Sequence, residues 1–122
     1  MPDGQPVTVA VVDDDQGVRD SLRFLLETVG CTVDTFHSAC HFLTSSPPPD
    51  ARYLLVDQHM PRVTGLDLLR QLRDRGMNRV VALMTGSPSP ELQRVAAELG
   101  AAMVIEKPLA EDVLLRFLDV TD

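Results

Sequence analysis

The sequence predicts a doubly wound α/β fold, because apolar runs and helical stretches alternate five times along its 122 residues. Most of the apolar runs are uninterrupted, as expected of strands covered on both faces of a parallel sheet. The stretches between them repeat apolar residues at the spacing of amphipathic helices. The hydrophobic share of 44% is enough for one core. We therefore expect a single domain over residues 1–122, with residues 1–6 as a flexible lead.

The five predicted strands are short runs in which Val, Leu and Ile are common. They are Val7–Val12, Thr32–Phe36, Tyr53–Val56, Val80–Met84 and Ala102–Ile105. Parallel strands all point the same way, and ligands of such sheets bind beyond the carboxyl ends of the strands. We therefore expect the residues that follow each strand to gather at one edge and form a site.

Five helices are predicted between and after the strands, each from a stripe of apolar residues. The stripes are Val18, Leu22, Leu25, Leu26 and Val29; Ala39, Phe42 and Leu43; Leu66, Leu69 and Leu72; Leu92, Val95, Ala96 and Leu99; and Val113, Leu114, Phe117 and Leu118. Gly30 and Gly76 are suited to end the first and third helices. Ser89 and Pro90 mark the start of the fourth helix, as its cap and its first residue. The proline-rich segment 45–50 should stop the second helix.

Charge and composition exclude several classes of protein. Lys and Arg number 11 against 18 Asp and Glu, which gives a net charge of -7, so direct binding to nucleic acid or to an anionic membrane is not expected. The opening MPDGQP lacks the features of a secretion signal, and no apolar stretch approaches 18 residues. We therefore expect a cytoplasmic protein. Cys31 and Cys40 are expected to be reduced and packed against the core.

Carboxylates, a hydroxyl and an ammonium stand at the ends of four predicted strands. They are Asp13, Asp14 and Asp15 after the first strand, Asp57 after the third, Thr85 after the fourth and Lys107 after the fifth. Carboxylates held close together repel one another, and a hard divalent cation relieves the repulsion. Mg²⁺ suits this set better than a soft metal because no His or Cys cluster accompanies the acids. A carboxylate beside such an ion can attack a phosphoryl group, so the pattern predicts a phosphoryl acceptor site.

Four sequence motifs resemble, over essentially the full length of the chain, the receiver domain of two-component response regulators. The motifs are VVDDD at 11–15, DQHMPRVTG at 57–65, MTG at 84–86 and EKP at 106–108. Each is weak alone, but together, in this order and each at a strand end, they are strongly specific. The resemblance implies a flavodoxin-like (βα)5 fold whose five-stranded parallel sheet has the order 2-1-3-4-5, with helices on both faces.

The same resemblance assigns roles in phosphoryl transfer. It implies that Asp57 is the phosphorylated residue and that Thr85 and Lys107 bind the phosphoryl oxygens. In such domains the bond from Lys107 to Pro108 is cis, which an X-Pro bond tolerates. Gly65 matches a glycine that the family uses for a tight bend before the third helix. The domain would catalyse part of the transfer and its own slow hydrolysis, so a signalling switch is expected rather than a turnover enzyme.

The resemblance also implies a Mg²⁺ site, with Mn²⁺ as an alternative ion. Asp14 and Asp57 would bind the ion directly, whereas Asp13 would act on it mainly through water. The backbone carbonyl of His59 would be the remaining protein ligand. This assignment of the acids depends on Arg19, because its distance from Asp14 along the sequence matches a basic residue common in the family.

Four positions around the expected site depart from the family pattern or vary within it. Val104 stands where receivers commonly carry Tyr or Phe, so the usual coupling of that ring to Thr85 is not expected. Gly86 replaces a common alanine and widens the space above the site. His59 and Ser87 occupy positions that, in the family, tune hydrolysis of the acyl phosphate. We expect His59→Ala to change the lifetime of the phosphoryl group.

Two other functions remain as alternatives. Asp13 and Asp15 form a DxD pair, as in haloacid dehalogenase-like phosphatases, in which the first acid is the nucleophile and the second a general acid. That family usually has Thr or Val where this chain has Gly17, and it leaves DQHMP unexplained. Asp15 is also suited to cap the first helix. The remaining alternative is a receiver-like module that binds protein without accepting phosphate, and Val104 is the only feature that favours it.

A histidine kinase or a histidine phosphotransfer protein is implied as the phosphoryl donor. Phosphorylation is expected to pull Thr85 inward and to reshape the surface of the fourth helix, fifth strand and fifth helix. Receivers often use that surface for a homodimer or an output partner. The Thr-Gly pair at 85–86 is similar to receivers of the nitrogen-fixation regulator type. No output segment follows DVTD at 119–122, so we expect either a free-standing receiver or a part of a longer regulator.

Overall fold

The computed structural model describes residues 7–45 and 50–118 and places five parallel strands of these ranges in one sheet. The strands are β1 (Thr8–Val12), β2 (Thr32–Phe36), β3 (Tyr53–Asp57), β4 (Val80–Thr85) and β5 (Met103–Glu106). Their order across the sheet is β2-β1-β3-β4-β5. This is the order 2-1-3-4-5 that the sequence analysis predicted, so the doubly wound fold is confirmed. The expected lead at residues 1–6 lies outside the described residues.

The helices of the described ranges form two layers, one on each face of the sheet. They are α1 (Gln16–Thr28), α2 (Ala39–Leu43), α3 (Gly65–Asp74), α4 (Pro90–Glu98) and α5 (Glu111–Leu118). Helices α1 and α5 cover one face, and α2, α3 and α4 cover the other. Each large side chain buried between helix and sheet stabilises the fold by roughly 1.5–3 kcal/mol. These side chains include Leu22, Leu26, Leu114 and Phe117 on the first face and Phe42, Leu68 and Leu72 on the second, where α4 buries the smaller Ala96.

Local signals set the ends of the helices, as the sequence predicted. Asp15 caps α1, because its Oδ1 accepts the backbone N–H of Val18 at 3.1 Å. Ser89 caps α4 in the same way, and Pro90 is the first residue of that helix. Gly30 has φ of 96° two residues beyond the end of α1, a backbone conformation that glycine adopts at no steric cost.

Strand ends differ slightly from the sequence prediction. Strands β3 and β4 each extend one residue further, so that Asp57 and Thr85 belong to the hydrogen-bonded ladder. Strand β5 runs from Met103 to Glu106 and is shifted by one residue. The apolar runs stop where the polar residues begin, but backbone pairing continues past them because it does not depend on side-chain polarity. The site residues therefore stand on the rigid sheet or directly beside it.

The prediction that both cysteines pack against the core is wrong for one of them. Cys31 is buried, but Cys40 is exposed. The short helix α2 turns Ala39 and Phe42 toward the sheet, which leaves the position of Cys40 facing solvent. Burial raises the pKa of the Cys31 thiol, which keeps it protonated and unreactive.

None of the helices in the described ranges has the length and apolar character needed to cross a membrane.

Gly65→Ala is expected to destabilise the fold by about 1–3 kcal/mol. An added Cβ would lie 2.8 Å from the backbone oxygen of Asp57 and would collide with Cδ1 of Leu83. Rotating a side chain cannot relieve the backbone contact, so β3 and α3 would have to move apart. Urea unfolding measures the loss. Gly86→Ala is the matched control, because a Cβ there meets no atom within 4 Å. Equal stability of the two variants would contradict this explanation.

Candidate functional site

The register of the sheet brings the polar strand ends together. Asp13 and Asp57 follow paired positions on the adjacent strands β1 and β3, so they stand at one level. Thr85 of β4 pairs with Glu106 of β5, which directly precedes Lys107. Four of the residues predicted from the sequence therefore lie at the same edge of the sheet because backbone pairing fixes their positions.

Lys107 joins the two buried carboxylates of this edge. Its Nζ lies 2.9 Å from Oδ2 of Asp13 and 3.2 Å from Oδ1 of Asp57. Burial lowers the pKa of Lys107, but its hydrogen bond and its attraction to Asp13, together with those to Asp57, outweigh burial and raise the pKa above the ordinary lysine value. Lys107 is therefore a permanent positive charge shared by both acids.

The carboxyl group of Asp57 is held in an unfavourable place for a negative charge. Burial raises its pKa above the ordinary value, and repulsion from Asp13 acts in the same direction. The attraction of Lys107 and the hydrogen bond from the backbone N–H of His59, at 3.3 Å, oppose this shift without cancelling it. One lysine therefore does not fully compensate two buried carboxylates, and the edge retains an affinity for further positive charge.

Hydrogen bonds to its side chain and to both polar groups of its backbone hold Asp13 in place. Its carboxylate is fully buried, and Oδ1 accepts the backbone N–H of Asp15 at 2.9 Å. Its backbone N–H donates to the carbonyl of Phe36 on β2, at 3.0 Å. Its own carbonyl accepts from the guanidinium of Arg19 at 2.7 Å. Arg19, which the sequence analysis used only to assign the acids, therefore fastens α1 to the end of β1.

The acids that were predicted to bind a metal lie close enough to share one ion. Asp13, Asp14 and Asp57 each offer a carboxylate oxygen, and the three atoms lie within 4.8 Å of one another. Three carboxylates and the single ammonium of Lys107 leave a net charge of -2, which a divalent cation balances. The donors are all oxygen, as Mg²⁺ prefers. Asp14 is exposed, so this side of the cluster is open to solvent.

Asp15, the second acid of the DxD pair, is not part of that cluster. Its side chain is turned toward the first turn of α1 and is occupied by the cap described above. Elsewhere in residues 7–45 and 50–118, no further group of three His, Cys, Asp or Glu side chains is arranged to hold an ion.

The hydroxyl of Thr85 is buried and already has partners. Its Oγ1 accepts the backbone N–H of Ser87 at 3.1 Å. It also lies 3.1 Å from Nε2 of the exposed His59 ring. The sequence placed His59 beside the site but gave no sign of this contact, because the two residues are 26 positions apart and meet only through the order of the strands.

Gln58 fixes the loop after β3 and was not singled out from the sequence. Its Oε1 accepts the N–H of Leu66 at 2.9 Å, and its backbone carbonyl accepts that of Gly65 at 3.3 Å. Its own N–H donates to the carbonyl of Met84 at 2.9 Å. In the sequence, the only sign of this role is that Gln58 is a polar residue between Asp57 and the other expected ligand, His59. Gln58 ties the loop to both α3 and β4.

The remaining variable positions have ordinary surroundings. Val104 is half-buried and packs against the apolar cluster under α2, α3 and α4. Gly86 is exposed, and the space around it would accept a Cβ. Ser87 is exposed and contributes its backbone N–H to Thr85. Position 104 therefore holds an aliphatic core contact where receivers commonly carry Tyr or Phe.

Known proteins resemble this chain along most of its length. A family model described as the response regulator receiver domain matches residues 9–119. Transcriptional regulatory protein FixJ of Azorhizobium caulinodans is 41% identical over 115 residues, covering 94% of this chain and 54% of that protein. Response regulator MprA of Mycobacterium ulcerans is 38% identical over 111 residues, covering 89% of this chain and 47% of that protein. The chain thus spans about half the length of these curated relatives.

A solved structure shows the same likeness in three dimensions. The crystal structure of FixJ-N superposes on this chain with a TM-score of 0.84 and is 33% identical to it. The match covers 95% of this chain and 93% of that one. Sequence and fold therefore agree on the same relatives.

Asp57→Asn is expected to stabilise the metal-free protein at neutral pH. Because the pKa of Asp57 is raised, the folded state binds its proton more tightly than the unfolded state does. The protonated Asp57 carboxyl therefore contributes to the stability of the wild type. This contribution is fully present below the ordinary Asp pKa of about 3.9 and is lost as the pH rises through the higher folded-state pKa. The variant has no such loss, so its melting temperature should exceed that of the wild type by a few degrees at neutral pH.

The measurement is thermal unfolding across a range of pH in the presence of a chelator. The advantage of Asp57→Asn should shrink as the pH is lowered toward the ordinary Asp pKa. Asp34→Asn, which changes an exposed acid on β2, is the control and should show no such trend. If the gain in melting temperature of Asp57→Asn does not vary with pH, or if the variant is less stable than the wild type at neutral pH, the negative charge of Asp57 does not destabilise the fold.

Proposed function

The chain belongs to the response regulator receiver domain family of two-component signalling, and from that premise we propose that it accepts a phosphoryl group on Asp57. The observation that carries the proposal is the position of the Asp57 carboxylate, which lies between a fixed ammonium and two further acids. A histidine kinase or a histidine phosphotransfer protein would be the donor. The family serves signalling, so the reaction sets a switch, and we place that switch in the cytoplasm.

The transfer follows from the contacts of Asp57. A carboxylate oxygen attacks phosphorus, the bond from phosphorus to the donor's imidazole nitrogen breaks, and the imidazole leaves with that electron pair and takes up a proton. The product is an acyl phosphate. Lys107 already lies 3.2 Å from Oδ1, so its ammonium can follow the charge onto the phosphoryl oxygens without leaving the site.

Asp13, Asp14 and Asp57, with the backbone carbonyl of His59, would hold a Mg²⁺ ion, or Mn²⁺ in its place. When bound, it would supply positive charge that neutralises the approaching phosphoryl group. The net charge of -2 at the cluster and its oxygen-only donors support this assignment. The buried carboxylate of Asp13 would be a rigid ligand for the ion. Asp14 is exposed, so the ion could enter from its side.

Thr85 would complete the response. A phosphoryl group on Asp57 adds charge and three acceptor oxygens, and the Thr85 hydroxyl at the next strand end is suited to donate to one of them. Movement of Thr85 toward the phosphoryl group would pull on the loop between β4 and α4. A partner or a second copy that contacts α4, β5 and α5 would then meet a changed surface. With its net charge of -7, this segment would not bind nucleic acid directly.

The phosphatase alternative finds no support at the site. Its general acid would be Asp15, but that side chain accepts the backbone N–H of Val18 and lies outside the carboxylate cluster. The nucleophile of that alternative would be Asp13, whose Oδ1 and Oδ2 are already bonded to Asp15 and Lys107. The contacts that Asp57 makes with His59 and Lys107 both reach Oδ1, so among the described residues Oδ2 has no hydrogen bond and is the oxygen better placed to act as nucleophile.

Phosphorylation is tested by intact-protein mass after incubation with acetyl phosphate, with and without Mg²⁺. The wild type is expected to gain the mass of one phosphoryl group only when Mg²⁺ is present. Asp57→Asn should gain nothing, because an amide cannot form the acyl phosphate. Asp34→Asn is the matched control and should behave as the wild type does. Absence of any gain in the wild type would leave the binding-module alternative, and a gain in Asp57→Asn would move the acceptor elsewhere.

Mg²⁺ alone is expected to raise the melting temperature by several degrees. A ligand that binds only the folded state stabilises it by about 2.7 kcal/mol at a concentration 100-fold above its Kd. Asp14→Asn should remove most of this gain without lowering metal-free stability, since its side chain is exposed. Asp20→Asn removes an exposed acid of α1 outside the cluster and serves as the control. Equal responses of the two variants to Mg²⁺ would refute the ion site.

A further inference from the structure

His59 connects the phosphoacceptor to the residue that is expected to sense it. Its backbone N–H donates to Oδ1 of Asp57 at 3.3 Å, and Nε2 of its ring lies 3.1 Å from Oγ1 of Thr85. The ring itself is exposed, while both partners are buried. One surface residue of the β3–α3 loop therefore contacts both buried groups.

Within the described residues, the Thr85 hydroxyl has one hydrogen-bond acceptor in reach, Nε2 of His59. The oxygen already accepts the backbone N–H of Ser87 at 3.1 Å, so it has an acceptor role that does not use its proton. A buried hydroxyl is rarely left without a partner for its proton. Nε2 of His59 can accept it when the ring carries its own proton on Nδ1. In this tautomer Thr85 donates the hydrogen bond to His59.

We infer that His59 is a positioning residue that holds Thr85 in its resting orientation, and that a phosphoryl group on Asp57 releases His59 by accepting the hydrogen bond from the same hydroxyl. The inference rests on the proposed function. Thr85 has one proton to donate, and two acceptors compete for it. A hydrogen bond to a charged phosphoryl oxygen is roughly twice as strong as one to a neutral nitrogen, so phosphorylation wins the competition.

This arrangement adds the β3–α3 loop to the surface that responds to phosphorylation. At position 104 the half-buried Val104 offers neither a ring that can turn nor a polar group that can follow Thr85. His59 is exposed and loses its partner when Thr85 turns away. The surface that changes on phosphorylation therefore includes His59 and its neighbours in the loop after β3.

The hydrogen bond is tested first in the metal-free, unphosphorylated protein. In ¹⁵N-¹H correlation spectra recorded well above the ordinary histidine pKa, Nε2 of His59 should carry no proton. Thr85→Val should shift this signal toward the tautomer with the proton on Nε2, and Thr85→Ser should restore the wild-type signal. The exposed ring of His41 is the internal reference and should not move. A His59 ring protonated on Nε2 in the wild type would overturn the inference.

The competition is tested at equilibrium with Mg²⁺ and beryllium fluoride, an analogue of the phosphoryl group. His59→Ala should bind the analogue about fivefold more tightly, which is the effect of losing one competing hydrogen bond. His59→Gln offers an acceptor at a similar reach and should return the affinity to the wild-type value. His41→Ala is the matched control. Affinity that is unchanged or weakened in His59→Ala would overturn the inference.

The two proposals fail in different ways. If the wild type takes neither phosphoryl group nor analogue while the His59 signal still responds to Thr85→Val, the phosphoacceptor proposal fails and the release of His59 fails with it. If phosphorylation proceeds and the His59 signal ignores both Thr85→Val and phosphorylation, only the role of His59 is overturned.

Discussion

The ammonium of Lys107, shared between Asp13 and Asp57, is the interaction on which the site depends. Two carboxylates buried on adjacent strands repel each other, and each has lost most of its hydration. Nζ of Lys107 lies 2.9 Å from Oδ2 of Asp13 and 3.2 Å from Oδ1 of Asp57, and its positive charge offsets part of the cost of burying them. A buried pair of this kind adds little to stability, but removal of one partner leaves a buried charge uncompensated. The arrangement is therefore better explained by chemistry at the site than by stability of the fold.

The sheet determines where these charges stand, and much of it follows from the sequence. Alternating apolar runs and helical stripes predicted a parallel sheet with helices on both faces, and the residue types at 15 and 89 were suited to cap α1 and α4. The strand order followed from the resemblance to receiver domains. Strand ends were less certain, since backbone pairing continues past the last apolar residue to Asp57 and Thr85. The exposure of Cys40 depended on how a helix of five residues sits on the sheet, which side-chain type alone does not reveal.

The candidate site was predictable as a set of residues but not as a set of contacts. Strand-end motifs brought Asp13, Asp57 and Lys107 to one edge, and the structure gives them an ordered charge network. Their roles in phosphoryl transfer remain predictions. The bond between His59 and Thr85 joins a side chain of the loop after β3 to one at the end of β4, and it requires both the register of β3 with β4 and particular side-chain conformations. No local pattern in a sequence encodes such a contact.

The central claim is that Asp13, Asp57 and Lys107 form one charged unit in which burial outweighs attraction at Asp57. A ¹³C NMR titration of the Asp57 carboxyl carbon, in the metal-free wild type and in Lys107→Met, measures this balance directly. We expect a pKa above the ordinary Asp value in the wild type and a still higher pKa in the variant, which lacks the ammonium. A wild-type pKa at or below the ordinary value, or one that Lys107→Met leaves unchanged, would contradict it.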